Sequence, residues 1–342
     1  MMIVITGGGT GGHLVIAKAI KEELCKRGIK PIYIGSQAGQ DKQWFEQDHD
    51  FAQKYFLESR GVVNKKGFKK LFTLIQIIKL AFTCKALFKQ HGIKAIFSVG
   101  GYSAAPASFG ALLAGIPLYI HEQNAITGKL NALLKPFAKA FFSSYDSKAI
   151  VCDYPIRELF FEHQRIRKEF KTIIFLGGSQ GATFINNLAM QLAPLLHQKG
   201  IKIIHQTGVK DFSSILEFYT KASIPADVFD FSTTMPEKIY EADIAISRAG
   251  ASTLWELCAS AIPTLFIPFP HAAANHQFFN AKTLVDKGLA LLEPQRQMES
   301  HDLLEKLEKI PLKEISEKLS DTIHSGGAKT IVDQLLTHIK ES

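Results

Sequence analysis

Three times along this 342-residue chain a short apolar run, rich in β-branched and aromatic residues, ends on paired glycines and passes into a helix-like stretch. Met2 to Thr6 leads into Gly7-Gly8-Gly9-Thr10-Gly11-Gly12, Ala95 to Val99 into Gly100-Gly101-Tyr102, and Thr172 to Leu176 into Gly177-Gly178-Ser179-Gln180-Gly181. An apolar run without polar alternation reads as a strand covered on both faces, and such strands belong to parallel sheets wrapped by crossover helices. The pattern predicts an α/β chain with doubly wound parallel sheets. Five further runs fit as strands: Pro31 to Ile34, Pro117 to His121, Lys202 to His205, Ile244 to Ser247 and Thr264 to Ile267.

The third glycine loop restarts the pattern near mid-chain, and the length exceeds one ordinary core. Two Rossmann-like domains separated by a cleft are expected, residues 1–156 and 157–325, with the charged, irregular stretch from Asp153 to Lys171 as the linker. In such sheets ligands bind beyond the carboxyl ends of the strands, where the glycine loops lie.

A hydrophobic share of 46% against 21% charged residues excludes a disordered chain. Lys and Arg number 40 against 32 Asp and Glu, a net charge of +8 that favours anionic partners without choosing among nucleotide phosphates, acidic lipids and nucleic acid. Cys25, Cys84, Cys152 and Cys258 show no metal-ligand spacing and read as buried, reduced thiols of a cytosolic protein. Met1 to Thr6 enters a strand directly, without the leader of a signal peptide, so the cytoplasm is the expected compartment.

The stretch from Phe68 to Phe88 stands apart. Its polar residues Lys69, Thr73, Gln76, Lys79 and Thr83 form a narrow stripe at helical spacing, and the rest of the circumference is apolar. A helix packed on one sheet shows a wider polar face. Lysines interrupt the stretch too often for a bilayer span. Lys65, Lys66, Lys69 and Lys70 lie at its start, so two readings stand: an interfacial helix on anionic lipid, or a core helix with a lysine-rich end.

Glycine loops of this kind bring backbone N–H groups and a helix N-terminus against phosphate oxygens. Gly7, Gly9 and Gly12 also satisfy the GxGxxG of dinucleotide-binding oxidoreductases, but that motif wants an acid at the end of the second strand. Here Gly35-Ser36 ends it. Other polar residues gather beside strand ends: His13, His121-Glu122-Gln123-Asn124, Glu256, and His271, His276 and Gln277.

Taken in order, GGGTGGH (7–13), GGYSAAP (starting on the 100–101 glycine pair), HEQNAITGKLN (121–131), GGSQGA (177–182), SRAGASTLWE (247–256) and HQFFNA (276–281) resemble the MurG family, the UDP-N-acetylglucosamine:undecaprenyl-diphospho-muramoylpeptide N-acetylglucosaminyltransferases. The likeness runs along nearly the whole chain, and HEQN with GGSQGA is a specific pair. It implies a GT-B fold, with the UDP-sugar held mainly by the C-terminal domain and the lipid acceptor by the N-terminal one. It implies a last helix within residues 326–342 that packs back on the N-terminal domain. It also implies a membrane patch on Leu71, Phe72, Ile75, Ile78 and Phe82, which tips the open choice for that stretch toward the interfacial reading and places the enzyme peripherally on the cytoplasmic face of the cell membrane.

Carried over by position, Thr10, Gly11 and Gly12 approach the diphosphates and His13 stands near the acceptor hydroxyl. Asn124 contacts the donor sugar, and Arg157 belongs to the nucleotide pocket. Ser179 and the Gly178 backbone hold the UDP phosphates, with Ala251, Ser252 and Thr253 lining the diphosphate. Glu256 accepts hydrogen bonds from the ribose hydroxyls, and Gln277 reaches the GlcNAc hydroxyls. Ser232 stands where an aliphatic residue usually presents its backbone to uracil, and Ile16 replaces a common proline.

The reaction the resemblance implies is an inverting displacement by the C4 hydroxyl of MurNAc-(pentapeptide)-pyrophosphoryl-undecaprenol (lipid I) on UDP-GlcNAc, giving lipid II for peptidoglycan. His13 is the first candidate base and Glu122 the second. No DxD-type acidic pair is placed for a divalent ion, so no metal and no other cofactor is expected. Three alternatives are set against this: a diacylglycerol glycosyltransferase, which HEQN and SRAGAS argue against; a non-hydrolysing UDP-GlcNAc epimerase, which has no use for the apolar helix; and a nucleic-acid binder, for which Lys65 to Lys70 is too small a basic patch.

Overall fold

A computed structural model describes residues 1–61, 67–146, 148–178, 181–296 and 298–341. The chain divides into two compact units, Met1–Pro155 with Gly326–Ser342, and Ile156–Ser325.

The first unit runs β1 (Met2–Thr6), α1 (Gly11–Lys26), β2 (Ile32–Ser36), α2 (Asp41–Phe45), β3 (Gln53–Leu57), α3 (Gly67–His91), β4 (Ile93–Ser98), α4 (Ala105–Ala114), β5 (Leu118–Glu122), α5 (Lys129–Leu134) and β6 (Ala140–Ser143). Its strands pair in parallel in the order β3-β2-β1-β4-β5-β6. The chain winds outward from β1 to β3 and then returns to β4 on the other side of β1, so the strand order reverses between β1 and β4. Helices cover both faces, which is why the inner strands read as unbroken apolar runs. Val4, Ile34, Ile96 and Ile120 meet Cys84 and Phe88 of α3 and Ala107 and Ala111 of α4 in one core.

Helix α3 buries one stripe only: Thr73, Ile77, Ala81, Cys84 and Phe88, each three or four residues after the last. That stripe lies on α4, so tightly at Gly110 that a Cβ there would come within 2.8 Å of Cys84 Cβ. The remaining apolar surface faces outward. Two sequence expectations change here. Thr73 turns inward, its hydroxyl donating to Lys69 O at 2.8 Å, and does not belong to an exposed polar stripe. Lysine content does not disqualify the helix from spanning, since by length and composition it is apolar enough to cross a membrane; what ties it to this unit is the stripe packed on α4.

The second unit runs α6 (Leu159–Glu162), β7 (Thr172–Leu176), α7 (Thr183–Gln198), β8 (Lys202–Gln206), α8 (Phe212–Lys221), β9 (Ala226–Phe229), α9 (Met235–Glu241), β10 (Ile244–Ser247), α10 (Ala251–Ala259), β11 (Thr264–Phe266), α11 (His276–Val285), β12 (Leu291–Leu292), α12 (Ser300–Glu308) and α13 (Leu312–Thr322). The order β12-β11-β10-β7-β8-β9 is again all parallel and reverses between β7 and β10.

Most of the stretch read as a linker is built into this unit. Arg167 is fully buried and donates to the carbonyls of Ala242, Ile239, Arg165 and Ser260. Arg165 pairs with Asp243 at 2.8 Å, and the second Asp243 oxygen accepts the Lys171 and Thr172 N–H groups, each at 2.9 Å. These charges staple the amino ends of β7 and β10, and the irregular sequence reflects that task.

Helix α14 (Gly327–Lys340) belongs to the first unit and packs on α1. It buries Ile331, Val332 and Leu335, and Asp333 pairs with Arg27 at 2.6 Å. Gly327 opens the helix because a Cβ there would lie 2.5 Å from Tyr154 O. All four cysteines are free thiols; Cys84 and Cys258 are buried as expected, whereas Cys152 is exposed and Cys25 half-buried.

Candidate active site

At the carboxyl ends of β1 and β4, where the first sheet reverses, two glycine loops interlock. Gly8 N–H donates to Gly100 O at 3.2 Å. A Cβ on Gly7 would lie 2.4 Å from Gly100 O, and one on Gly101 2.3 Å from Gly8 O, so only glycine lets the two backbones meet. The loop after β5 joins them through Asn131. Its side-chain amide donates to Glu122 Oε2 at 2.9 Å and lies where a Cβ on Gly100 would come within 2.9 Å of it.

Within this cluster Thr10 is the N-cap of α1, in extended conformation, and Gly11, Gly12 and His13 form the first turn. Thr10 Oγ1 lies 3.0 Å from His13 Nδ1. Glu122 is buried, and its two oxygens accept the Asn124 N–H at 3.0 Å, the Gly128 N–H at 2.9 Å and the Asn131 amide. That carboxylate is engaged in shaping the loop that carries Asn124, whereas His13 stands on the rim of a glycine turn. Of the two candidate bases His13 is the better placed. Burial pushes the neighbouring His121 imidazole down to about 3, with the charge of His13 acting in the same direction, so His121 is neutral at working pH.

In the second unit the reversal between β7 and β10 pairs Leu176, which leads into Gly177 and Gly178, with Ser247, which leads toward α10. Gly181, at φ +75, is pressed against β8: a Cβ there would lie 2.3 Å from Thr207 O. Asn186 locks the same corner. Its amide donates to Thr207 O at 3.1 Å and Asp211 Oδ2 at 2.9 Å, and its Oδ1 faces His205 Nε2 at 3.1 Å. Ser179 lies outside the described residues.

Gly250 caps α10, and the helical ladder begins with Leu254 N–H to Gly250 O at 2.9 Å. Ala251, Ser252 and Thr253 therefore make up the first turn, where amides point along the axis and a partial positive charge develops. Arg248, just before this turn, donates its backbone N–H to Leu176 O of β7, so it sits on the switch point itself. Its guanidinium is buried between the Phe184 and Phe269 rings and donates to Ile267 O, Pro268 O and Gln295 Oε1. Burial lowers it only to about 10, so the charge persists, and among the described residues no carboxylate pairs with it.

Glu256 stands one turn further along α10. Burial pushes its carboxyl up to about 7, against the opposing charge of Arg157, which reaches it from the segment before α6. Gln277, in the first turn of α11, accepts the Phe269 N–H at 2.9 Å through Oε1, which orients its amide.

The structure therefore gathers Thr10, Gly11, Gly12, His13, Glu122 and Asn124 at one sheet end. In the other unit it gathers Arg157, Glu256, the first turn of α10 and, through Phe269, Gln277. Ser232 is not drawn in by these contacts: it lies after the edge strand β9, and its hydroxyl accepts the Thr234 N–H in its own turn. The α3 residues Leu71, Phe72, Ile75, Ile78 and Phe82 are 44–70% exposed, and Phe68 reaches 90%. Among the described residues no three His, Cys, Asp or Glu side chains gather as metal ligands would.

Sequence reasoning missed Asn131, Asn186, Arg248 and Asp41. Asn131 closes the HEQNAITGKLN motif and Arg248 opens the α10 loop, so both were within reach. Asn186 and Asp41 carry no local signal; only the fold brings them to the glycine loops.

Comparison with known proteins follows this division. Residues 3–143 match the glycosyltransferase family 28 N-terminal domain and residues 172–335 the family 28 C-terminal domain. A UDP-N-acetylglucosamine--N-acetylmuramyl-(pentapeptide) pyrophosphoryl-undecaprenol N-acetylglucosamine transferase of Campylobacter fetus is 54% identical, over 98% of this chain and 99% of its own. The protein of the same name from Wolinella succinogenes is 50% identical, over 98% of this chain and all of its own (100%). Among solved structures, the MurG of Acinetobacter baumannii superposes with a TM-score of 0.79 at 27% identity, covering 98% of this chain and 99% of that one. A plant glycosyltransferase, UGT71G1 of Medicago truncatula, shares the fold alone, with a TM-score of 0.64 at 14% identity over 99% of this chain and 98% of its own.

Proposed function

This chain belongs to glycosyltransferase family 28 and within it to the MurG enzymes, and we propose that its two switch points divide the work of one glycosyl transfer. The enzyme transfers GlcNAc from UDP-GlcNAc to lipid I, forming lipid II in peptidoglycan synthesis. The observation that carries the division is the reversal of each sheet at a glycine loop, the place where doubly wound sheets take up ligands.

In our reading the second unit holds the donor. Amides at the start of α7 and α10 and the fixed charge of Arg248 face the diphosphate, Glu256 takes the ribose hydroxyls, and Gln277 takes hydroxyls of the GlcNAc. Arg157 stays with the nucleotide and balances Glu256. These groups would stabilise UDP as it leaves, since preorganised dipoles need no rearrangement when charge develops. The first unit holds the acceptor. His13 takes the proton of the C4 hydroxyl, with Nδ1 on Thr10, and Glu122 acts through the loop it shapes. No metal enters this scheme.

The outward apolar face of α3, flanked by Lys69, Lys70 and Lys79, is the membrane contact in this proposal, seating the enzyme peripherally on anionic lipid at the cytoplasmic face, and nucleic acid is not a partner. Exposed apolar side chains in such number on one helix are uncommon on a monomer that meets only water. The test is incubation with radiolabelled UDP-GlcNAc and a lipid I analogue, with other UDP-sugars, a diacylglycerol acceptor and an EDTA arm in parallel. Transfer to the lipid I analogue, selective for UDP-GlcNAc and unaffected by EDTA, is expected. Loss of turnover in EDTA with recovery in Mg²⁺ would refute metal independence. Equal use of diacylglycerol would refute the acceptor assignment.

A further inference from the structure

Asp41 is fully buried and belongs to no ion pair among the described residues. Its carboxylate is aimed into the first glycine loop. Oδ2 accepts the Gly9 N–H at 2.6 Å, and Oδ1 accepts the Ser36 N–H and the Tyr33 hydroxyl, each at 3.0 Å. The same Tyr33 hydroxyl lies 2.9 Å from Gly7 O, so its one proton is shared between that carbonyl and Asp41. Burial and the Asp41 charge both raise the Tyr33 phenol, so it remains a donor throughout the working range. Two glycines make room for this acid: a Cβ on Gly8 would lie 2.6 Å from Asp41 Oδ1, and one on Gly35 2.7 Å from it. A short, charge-assisted bond from a fully desolvated carboxylate is a strong constraint on the amide it holds.

The held amide is one residue before Thr10, whose hydroxyl meets His13 Nδ1 at 3.0 Å. Gly9 itself sits at φ +84, under the Tyr102 ring. We propose that Asp41 is a positioning residue for His13: by fixing Gly9 it sets the Thr10 hydroxyl where it accepts from the Nδ1–H of the ring. Holding the proton on Nδ1 keeps Nε2 as the lone-pair nitrogen, the tautomer a general base needs. The carboxylate also occupies an amide that glycine loops commonly offer to phosphate, so this loop serves the histidine at Gly9 and not a nucleotide. The inference rests on the assignment of His13 as base.

Asp41→Asn keeps the shape of the side chain and removes the anion, and Tyr33→Phe removes one of its donors together with the hydroxyl's contact to Gly7 O. For folded Asp41→Asn, kcat falls about 10²-fold, as a misplacement of about 1 Å can do. The KM for UDP-GlcNAc stays within about twofold, because the donor is assigned to the other unit. Tyr33→Phe moves kcat the same way by less. Imidazole ¹⁵N NMR, which needs no turnover, shows His13 mainly as the Nδ1–H tautomer in the native enzyme and as a mixture in Asp41→Asn. A merely structural acid would lower the melting temperature and leave the tautomer alone. An unchanged tautomer in either folded variant, or a loss confined to the donor KM, overturns the proposal. His13→Gln with native turnover would instead refute the base assignment itself.

Discussion

The Glu256 carboxyl gives the sharpest solution test of the donor site. In the proposed donor site both ribose hydroxyls donate to Glu256, which favours its ionised form, yet burial pushes the empty site up to about 7. If that preference is strong, only the ionised fraction of the enzyme binds near that value, and the apparent dissociation constant rises as the reciprocal of that fraction. About 90% is ionised at pH ~8 and about 10% at pH ~6, so affinity falls about tenfold between them, or about 1.4 kcal/mol. The sign is definite: acid weakens binding. Binding must in turn draw the carboxyl down and release about half a proton per site at pH ~7. In the empty protein the folded state keeps a proton between the ordinary 4.5 and about 7 that the unfolded chain has lost, so stability falls as pH rises through that window. Calorimetry with UDP-GlcNAc in buffers of different ionisation enthalpy reads affinity and proton release together. The sugar nucleotide is the right probe, because the terminal phosphate of UDP titrates near pH ~6 on its own account. A flat dissociation constant from pH ~6 to ~8 would refute the ribose assignment. A slope that survives in Glu256→Gln would give it to another group.

Three further outcomes are expected. His13→Gln lowers kcat by ~10²–10⁴ while calorimetric binding of UDP-GlcNAc is retained; parallel loss of both would point to unfolding. Gly181→Ala forces a side chain into the left-handed region against Thr207 O, costing ~1–3 kcal/mol in denaturant unfolding and weakening donor binding more than acceptor use. Phe72→Ser, Ile75→Ser, Ile78→Ser and Phe82→Ser combined leave the melting temperature near native, since these side chains are exposed, but reduce cosedimentation with anionic phospholipid vesicles by about 10²-fold or more. Equal vesicle binding by that variant would remove α3 from the membrane contact.

The strands show where sequence is legible and where it is not. Every one of the eight runs read as strands is an inner strand, β1, β2, β4, β5, β7, β8, β10 or β11. The four missed, β3, β6, β9 and β12, are the four sheet edges. Two of these edges are covered less completely and need not be continuously apolar, since QKYFL and ADVF are mostly half-buried; β12 has two residues, and β6 is short at four residues although mostly buried. The site divides in the same way. His13, Glu122, Asn124 and Glu256 lie within a few residues of glycine turns or strand ends, so local pattern finds them. Asp41, Asn186 and the stapling pair Arg165–Asp243 act through the fold. Their partners are 32, 21 and 78 residues away, and no window on the chain contains both ends of those contacts.

The two glycine loops look alike as strings, but the most deeply buried charged side chains described beside them differ: acids at the first and a guanidinium at the second. Under the first lie Asp41, on the Gly9 amide, and Glu122, on the loop beside it. At the second switch point lies Arg248, bonded to carbonyls and a glutamine and, among the described residues, directly paired with no carboxylate. In a low-dielectric setting such a charge acts over the length of a diphosphate, and a carboxylate at the same distance opposes it. That difference suits the proposed roles: the first loop to hold a neutral imidazole against an alcohol, and the second to accept and then release an anion. Exchanging the proposed roles would require moving a buried acid and a buried guanidinium, each held by three hydrogen-bond partners, so in this proposal the division of labour rests on the packing beneath the loops and not on the glycines themselves.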